Sequence, residues 1–180
     1  MTDTVFDDPG QLIASLAQRV ISENTARGRT VALAESCTGG MVATALTDVA
    51  GSSCAFEASF VTYSNQAKHD LLGVTNETLE AFGAVSPECA QAMVAGVIEK
   101  TSADVAVSIT GVAGPGGGSP AKPVGTVIFA RAHRGDSIDQ FYCSRQDFGV
   151  AASRAQIRRQ ATLFALNLLL PEFNTPQDSA

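Results

Sequence analysis

Ser36 follows a short apolar run, residues 30–34, and precedes Cys37-Thr38-Gly39-Gly40. A strand over the apolar run and a helix beginning at the glycine pair would place Ser36 at the carboxyl edge of a sheet, where open α/β folds bind ligands. The N–H groups of the helix start, around Thr38, Gly39 and Gly40, are suited to hold substrate and to stabilise an oxyanion. Ser36 is therefore a candidate nucleophile, although Ser36 or Thr38 could instead simply cap the helix.

A serine nucleophile needs a base to take its proton. The chain has two histidines, His69 and His133; His69 follows the second predicted strand, but a histidine on a surface helix is commonly just solvated. Lys68 can act as the base if burial lowers its pKa, and Ser–Lys pairs of this kind exist. Tyr63 could relay a proton or orient the lysine. The alternative is that Lys68 is an exposed helical lysine, as most lysines are. Cys37 is a second candidate nucleophile beside a helix start, or else a small buried apolar residue.

Residues 111–118 form a glycine-rich loop after the third predicted strand, and such a loop can bring backbone N–H groups close to an anion. It is not a P-loop, because no Gly-Lys-Ser/Thr follows; the alternative is a flexible connector. Thr110 could point its hydroxyl into the same cleft. Arg154 and Arg158, four residues apart, share a helix face and could clamp a phosphate, or could lie on a solvated face.

The elements that must position these residues alternate early in the chain and then give three strands in succession. This pattern predicts an α/β fold, a three-layer sandwich around a mixed, mainly parallel sheet of about five strands. We expect one domain over residues 1–180, with a core from 9 to 171 and a polar tail. Strands are predicted over 30–34, 54–63, 105–109, 124–132 and 138–144. The first helix is predicted from Pro9 to about 28, with Asp8 as its N-cap. A short helix that carries Lys68 is predicted from 65, and further helices are predicted over 41–49, 75–82, 87–101 and 151–170.

The composition limits the partners. The net charge is −6 without a basic run, which argues against non-specific nucleic-acid binding. There is no signal peptide, no apolar run of membrane-spanning length and no Cys-x-x-Cys pair among the four cysteines. We therefore expect a cytoplasmic protein with reduced thiols, no metal, no cofactor, and no membrane or nucleic-acid partner.

Five linked motifs resemble the nicotinamide-nucleotide amidases, also known as the C-terminal domain of the competence-damage-inducible protein CinA. They span roughly residues 10–170 in the order and spacing typical of that family. The motifs are Glu35-Ser36-Cys37-Thr38-Gly39-Gly40, residues 59–65 with Ala67-Lys68, Gly83-Ala84-Val85-Ser86, residues 110–117, and Lys122-Pro123-Val124-Gly125-Thr126-Val127. The last arginine motif departs from the family, since the usual Gly-Asp-Arg is absent and the spacing between Phe148 and Arg158 is longer.

The resemblance implies deamidation of nicotinamide mononucleotide to nicotinic acid mononucleotide and ammonia, a step of NAD salvage. It implies Ser36 as nucleophile, Tyr63 and Lys68 as proton-transfer residues, and a homo-oligomer acting on a small nucleotide. The substrate would be bound by residues of the serine turn, the glycine loop and the last helix: Thr38, Gly39, Gly40, Thr110, Gly111, Ala113, Gly114, Arg154 and Arg158. A non-catalytic nucleotide-binding module of the same fold, or a different amide or ester substrate, are the alternatives.

Overall fold

A computed structural model describes residues 9–173. Six α-helices surround five strands, in the order α1 (Pro9–Ala26), β1 (Val31–Glu35), α2 (Met41–Thr47), β2 (Phe56–Val61), α3 (Asn65–Leu72), α4 (Asn76–Phe82), α5 (Pro87–Lys100), β3 (Val105–Gly111), β4 (Thr126–His133), β5 (Tyr142–Asp147) and α6 (Arg154–Leu169). Two short 3-10 helices, Ser52–Cys54 and Ile138–Gln140, precede β2 and β5. The predicted cap Asp8 lies outside the described residues.

The strands form one sheet in the order β2-β1-β3-β4-β5. β1 pairs in parallel with β2 and β3, while β4 is antiparallel to both β3 and β5. Within the described chain, β4 is thus the one strand that runs opposite to the others, which confirms the mixed, mainly parallel sheet. The carboxyl ends of β1, β2 and β3 therefore meet at one edge.

The central strands β1, β3 and β4 are buried, as expected between two helical layers, whereas the edge strands β2 and β5 are partly exposed. Residues of β1 alternate between the two cores: Val31 and Leu33 pack with α1, α2 and α6, whereas Ala32 and Ala34 pack with α3 and α5. The three-layer α/β/α sandwich is confirmed. Within the described chain, no helix is both long and apolar enough to cross a membrane.

The predicted fifth strand, residues 138–144, is wrong in its position. Residues Ile138–Gln140 form a 3-10 turn, and the strand is Tyr142–Asp147. Ser137 and Gln140 close this turn through a capping box, so the apolar Ile138 does not start the strand. β5 is an edge strand with polar, partly exposed residues, and this polarity hid its second half from a search for apolar runs.

Candidate active site

Three strand ends bring the predicted site residues together. In the sheet register Glu35 lies between Val61 of β2 and Ile109 of β3, so the residues that follow each strand meet at the same edge. There they line a cleft of about 220 Å³. Of the predicted residues, the cleft is lined by Ser36, Tyr63, Lys68, Thr110, Gly111, Ala113 and Arg154.

Lys68 and Ser36 are in direct contact although 32 positions separate them in the chain. The Lys68 Nζ donates to the Ser36 Oγ at 3.1 Å and to the Thr62 carbonyl oxygen at 2.8 Å. Lys68 is only 1% exposed, and no carboxylate in residues 9–173 forms an ion pair with it. Burial lowers the pKa of Lys68, since the charged ammonium is poorly solvated there. The geometry therefore favours a neutral amine beside a serine hydroxyl.

Helix α3 carries Lys68 into the cleft. Its first turn is capped by Ser64, whose hydroxyl accepts from the Ala67 N–H, as the sequence predicts. The helix ends at Gly73, whose left-handed conformation (φ 70°) suits glycine. At the same end, Gly96 of α5 comes so close to the Leu72 carbonyl group that a side chain there would overlap it. Gly96 thus fixes how deeply α3 settles against α5.

Glu35 belongs to the motif that contains Ser36, and in the structure its carboxylate organises the serine turn. Its fully buried carboxylate accepts from the N–H groups of Gly40, Val42 and Ala43 at 2.9, 3.2 and 2.9 Å. Glu35 therefore caps α2, whose own N-cap residue Gly40 provides no side chain. This finding removes the interpretation of Ser36 as a helix cap. An acid directly before a strand-to-helix turn is the signal that could have revealed it.

Tyr63 and Arg154 close one side of the cleft. The Arg154 Nη2 donates to the Tyr63 hydroxyl oxygen at 2.8 Å, and its Nη1 donates to the Gly114 carbonyl oxygen at 2.7 Å. Tyr63 is 61% exposed, so the pair lies at the mouth. These contacts place a guanidinium beside the glycine loop; a proton relay by Tyr63 stays a prediction.

Thr110 and two residues of the glycine loop, Gly111 and Ala113, also line the cleft. The Thr110 hydroxyl donates to the Ala84 carbonyl oxygen at 2.7 Å, which orients its oxygen lone pairs. Gly111 must be glycine, because a Cβ there would lie 2.8 Å from the Thr126 carbonyl oxygen of the paired strand. Thr110 and Gly111 end β3 rather than beginning the loop.

Five predicted substrate-binding residues do not line the cleft: Gly114, which contacts Arg154, and Thr38, Gly39, Gly40 and Arg158. Thr38 is fully buried with its hydroxyl facing the interior. The N–H groups of Gly39 and Gly40 already donate to Ser36 and Glu35, and both glycines line a separate cavity of about 440 Å³ beside α1. Arg158 donates to the carbonyl oxygens of Cys37 and Thr38. The turn thus uses most of its polar groups internally, and substrate binding by these residues stays a prediction.

The alternative nucleophile and base are less suited to the chemistry, although Cys37 also lines the cleft. Burial raises the pKa of the Cys37 thiol to about 11, so the reactive thiolate is scarce at neutral pH. His69 has its Nδ1 2.9 Å from the Val74 carbonyl oxygen at the far end of α3 and does not line the cleft. Within residues 9–173 no disulfide forms and no group of three His, Cys, Asp or Glu could hold a metal ion.

Known proteins resemble this chain in sequence and in structure. The nicotinamide-nucleotide amidohydrolase PncC of Escherichia coli strain K12 is 49% identical over 162 residues, 89% of this chain and 94% of that protein. The protein of the same name from Enterobacter agglomerans is 50% identical, covering 82% of this chain and 87% of that protein. The crystal structure of the competence/damage inducible protein CihA from Agrobacterium tumefaciens matches with a TM-score of 0.83 and 45% identity, covering 88% and 93% of the two chains.

The family model that describes the CinA C-terminal domain matches residues 13–173, which include all five strands and every residue of the cleft. The resemblance inferred from the motifs is thereby confirmed. The chain belongs to the CinA C-terminal domain family.

Proposed function

We propose that the protein hydrolyses the carboxamide of nicotinamide mononucleotide, releasing nicotinic acid mononucleotide and ammonia. The observation that carries the proposal is the buried contact between the Lys68 amine and the Ser36 hydroxyl at the edge of the sheet. Two relatives about half identical to this chain over most of its length are named nicotinamide-nucleotide amidohydrolases. That similarity supports the substrate, which the geometry of the cleft alone does not specify.

In the first step neutral Lys68 takes the proton of Ser36 as the Ser36 oxygen attacks the carboxamide carbon. The Thr62 carbonyl oxygen, which accepts from the same amine, holds the lysine lone pair towards the serine. The tetrahedral intermediate then collapses: the C–N bond breaks, and the Lys68 ammonium gives its proton to the leaving nitrogen, so ammonia departs. The positively charged pyridinium ring of the substrate withdraws electrons and makes the carbonyl carbon more reactive.

In the second step water attacks the acyl ester on Ser36. Lys68 takes a proton from the water, and the ester C–O bond breaks as the Ser36 oxygen recovers a proton. The products are the free acid and the original enzyme, and the sum is one carboxamide plus one water giving one acid and one ammonia. Each step uses Lys68 once as base and once as acid, which requires a pKa not far from the working pH.

Arg154 is the group we propose for the substrate phosphate. Its guanidinium lies at the mouth of the cleft, held by Tyr63 and Gly114, where a bidentate contact with phosphate oxygens can form. Tyr63 then positions the arginine and assists the lysine. Assembly into a homo-oligomer and a role in pyridine nucleotide salvage are further parts of the proposal, implied by the family.

The test is ammonia release from nicotinamide mononucleotide by the wild type, Ser36→Ala and Cys37→Ala. We expect Ser36→Ala to lose activity to background and the neighbouring Cys37→Ala to keep most of it, because the thiol is buried and protonated. A parallel thermal-shift titration with the nucleotide separates binding from turnover. Binding without ammonia release by the wild type would instead indicate a non-catalytic module.

A further inference from the structure

The backbone of the serine turn leaves few polar groups without a partner. The Ser36 N–H donates to the Ile109 carbonyl oxygen, and the Gly39 N–H donates to the Ser36 carbonyl oxygen. The Gly40 N–H donates to Glu35. Across the described chain, no acceptor in another residue is recorded for the N–H groups of Cys37 and Thr38. A serine hydrolase needs such donors next to its nucleophile to stabilise the oxyanion.

Arg158 holds the carbonyl oxygen of the peptide group that carries the Thr38 N–H, and the next carbonyl oxygen along the chain. From α6 its Nε donates to the Cys37 carbonyl oxygen at 3.1 Å, and its Nη2 donates to the Thr38 carbonyl oxygen at 2.8 Å. Two donors of one planar guanidinium thus fix two successive carbonyl groups. A Cβ on Gly39 would lie 3.4 Å from the Nη2, which shows how closely the guanidinium packs on the turn.

The fixed carbonyl groups also fix the direction of an N–H. The Cys37–Thr38 peptide is trans, so its N–H, that of Thr38, points away from the carbonyl oxygen that Arg158 holds. Arg158 reaches the turn from α6 on one face of the sheet, whereas Lys68 reaches Ser36 from α3, which packs on the other face. The Thr38 N–H is therefore directed away from the Arg158 guanidinium of the α6 layer.

We infer that Arg158 is a positioning residue that aims the Thr38 N–H at the oxyanion formed when Ser36 attacks. The inference rests on the proposed amide hydrolysis and replaces the phosphate role that the spacing of the two arginines indicated. Arg158 does not line the cleft, while Arg154 does. One helical turn therefore separates an arginine directed to the substrate from an arginine directed to the backbone.

The test compares Arg158→Lys and Arg158→Ala with Arg159→Met, an exposed arginine at the next position. Loss of an oxyanion donor lowers kcat by about 100-fold or more, so we expect a loss of about 100-fold in kcat with KM within about threefold. A lysine ammonium cannot hold two carbonyl oxygens in the fixed planar geometry of a guanidinium, so the kcat of Arg158→Lys should be nearly as low as that of Arg158→Ala. Guanidinium ion added to Arg158→Ala should restore part of kcat, and Arg159→Met should match the wild type.

A raised KM with kcat preserved would overturn the inference and return Arg158 to a phosphate role. A loss of kcat explained by the unfolded fraction, measured by thermal unfolding, without rescue by guanidinium, would also overturn it. An activity-independent measurement uses protein labelled with ¹⁵N-threonine: the Thr38 amide signal should shift in Arg158→Lys and not in Arg159→Met. An unchanged signal refutes the positioning, whereas an inactive wild type with a shifted signal refutes only the proposed function.

Discussion

Gly96 does not line the cleft, and its substitution tests whether the position of α3 sets the contact between Lys68 and Ser36. A Cβ at Gly96 would lie 2.8 Å from the Leu72 carbonyl carbon and nearer still to its oxygen. Ordinary contact begins at 3.4 Å, so Gly96→Ala must move the end of α3 by about 0.6 Å at the carbon and on the order of 1 Å at the oxygen.

Such a shift is large on the scale of the active site. Lys68 lies one helical turn before Leu72, and its Nζ is 3.1 Å from the Ser36 Oγ. A shift of about 1 Å takes this contact outside hydrogen-bonding range, and misplacement by that distance costs about 100-fold in rate. The overpacking itself destabilises by about 1–3 kcal/mol, partly offset by about 0.5–1 kcal/mol because alanine favours a helix over glycine.

The assay is kcat/KM for ammonia release, with thermal unfolding measured on the same samples. Glu99→Ala, on an exposed position of the same helix, is the matched control and should retain the wild-type rate. We expect Gly96→Ala to remain folded at 25 °C and to lose about 100-fold in kcat/KM. A folded Gly96→Ala protein with the wild-type rate would show that the position of α3 against α5 does not set the contact between Lys68 and Ser36.

Three further predictions concern buried and cleft residues. Burial lowers the Lys68 pKa in the folded state, so between that lowered pKa and the ordinary value of 10.5 the unfolded chain holds the proton more tightly. In this pH window the free energy of unfolding of the wild type should rise with pH relative to that of Lys68→Met, and equal pH dependence of the two proteins in urea titrations would contradict this. Lys68→Met should also lose about 100-fold or more in kcat. Thr38→Val removes a buried hydroxyl without a partner and should stabilise by about 1 kcal/mol in thermal unfolding while activity persists; lost activity would indicate a direct role of the hydroxyl. Arg154→Met should raise KM for nicotinamide mononucleotide far more than it lowers kcat, and an unchanged KM would exclude the phosphate contact.

Much of the fold follows from local signals in the sequence. Ser64, Thr75 and Ser86 cap α3, α4 and α5 through their hydroxyls, as their residue types and positions predict. The buried strand β1 is apolar up to Glu35, and β3 is mainly apolar, with Ser108 and Thr110 in its second half. β5 was misplaced because an edge strand needs fewer apolar residues, and its position depends on pairing with β4 rather than on its own composition.

The sequence predicts which residues form the site better than it predicts which groups those residues contact. Ser36, Lys68 and Tyr63 could be chosen by residue type, but the contact between Ser36 and Lys68 depends on the parallel pairing of β1 and β2. Arg154 and Arg158 share a helix face, yet one meets Tyr63 and the other meets backbone carbonyl groups. Their spacing predicts the common face, whereas their different partners depend on tertiary contacts that the spacing does not contain.

The central claim is that Ser36 carries a covalent acyl group during turnover. The most direct measurement is mass spectrometry of the peptide containing Ser36, after rapid acid quenching of the enzyme with nicotinamide mononucleotide. We expect a mass increase equal to the acyl nucleotide on Ser36 in the wild type and none in Ser36→Ala, which should also release no ammonia. Turnover by Ser36→Ala, or an adduct on Cys37 in place of Ser36, would contradict it.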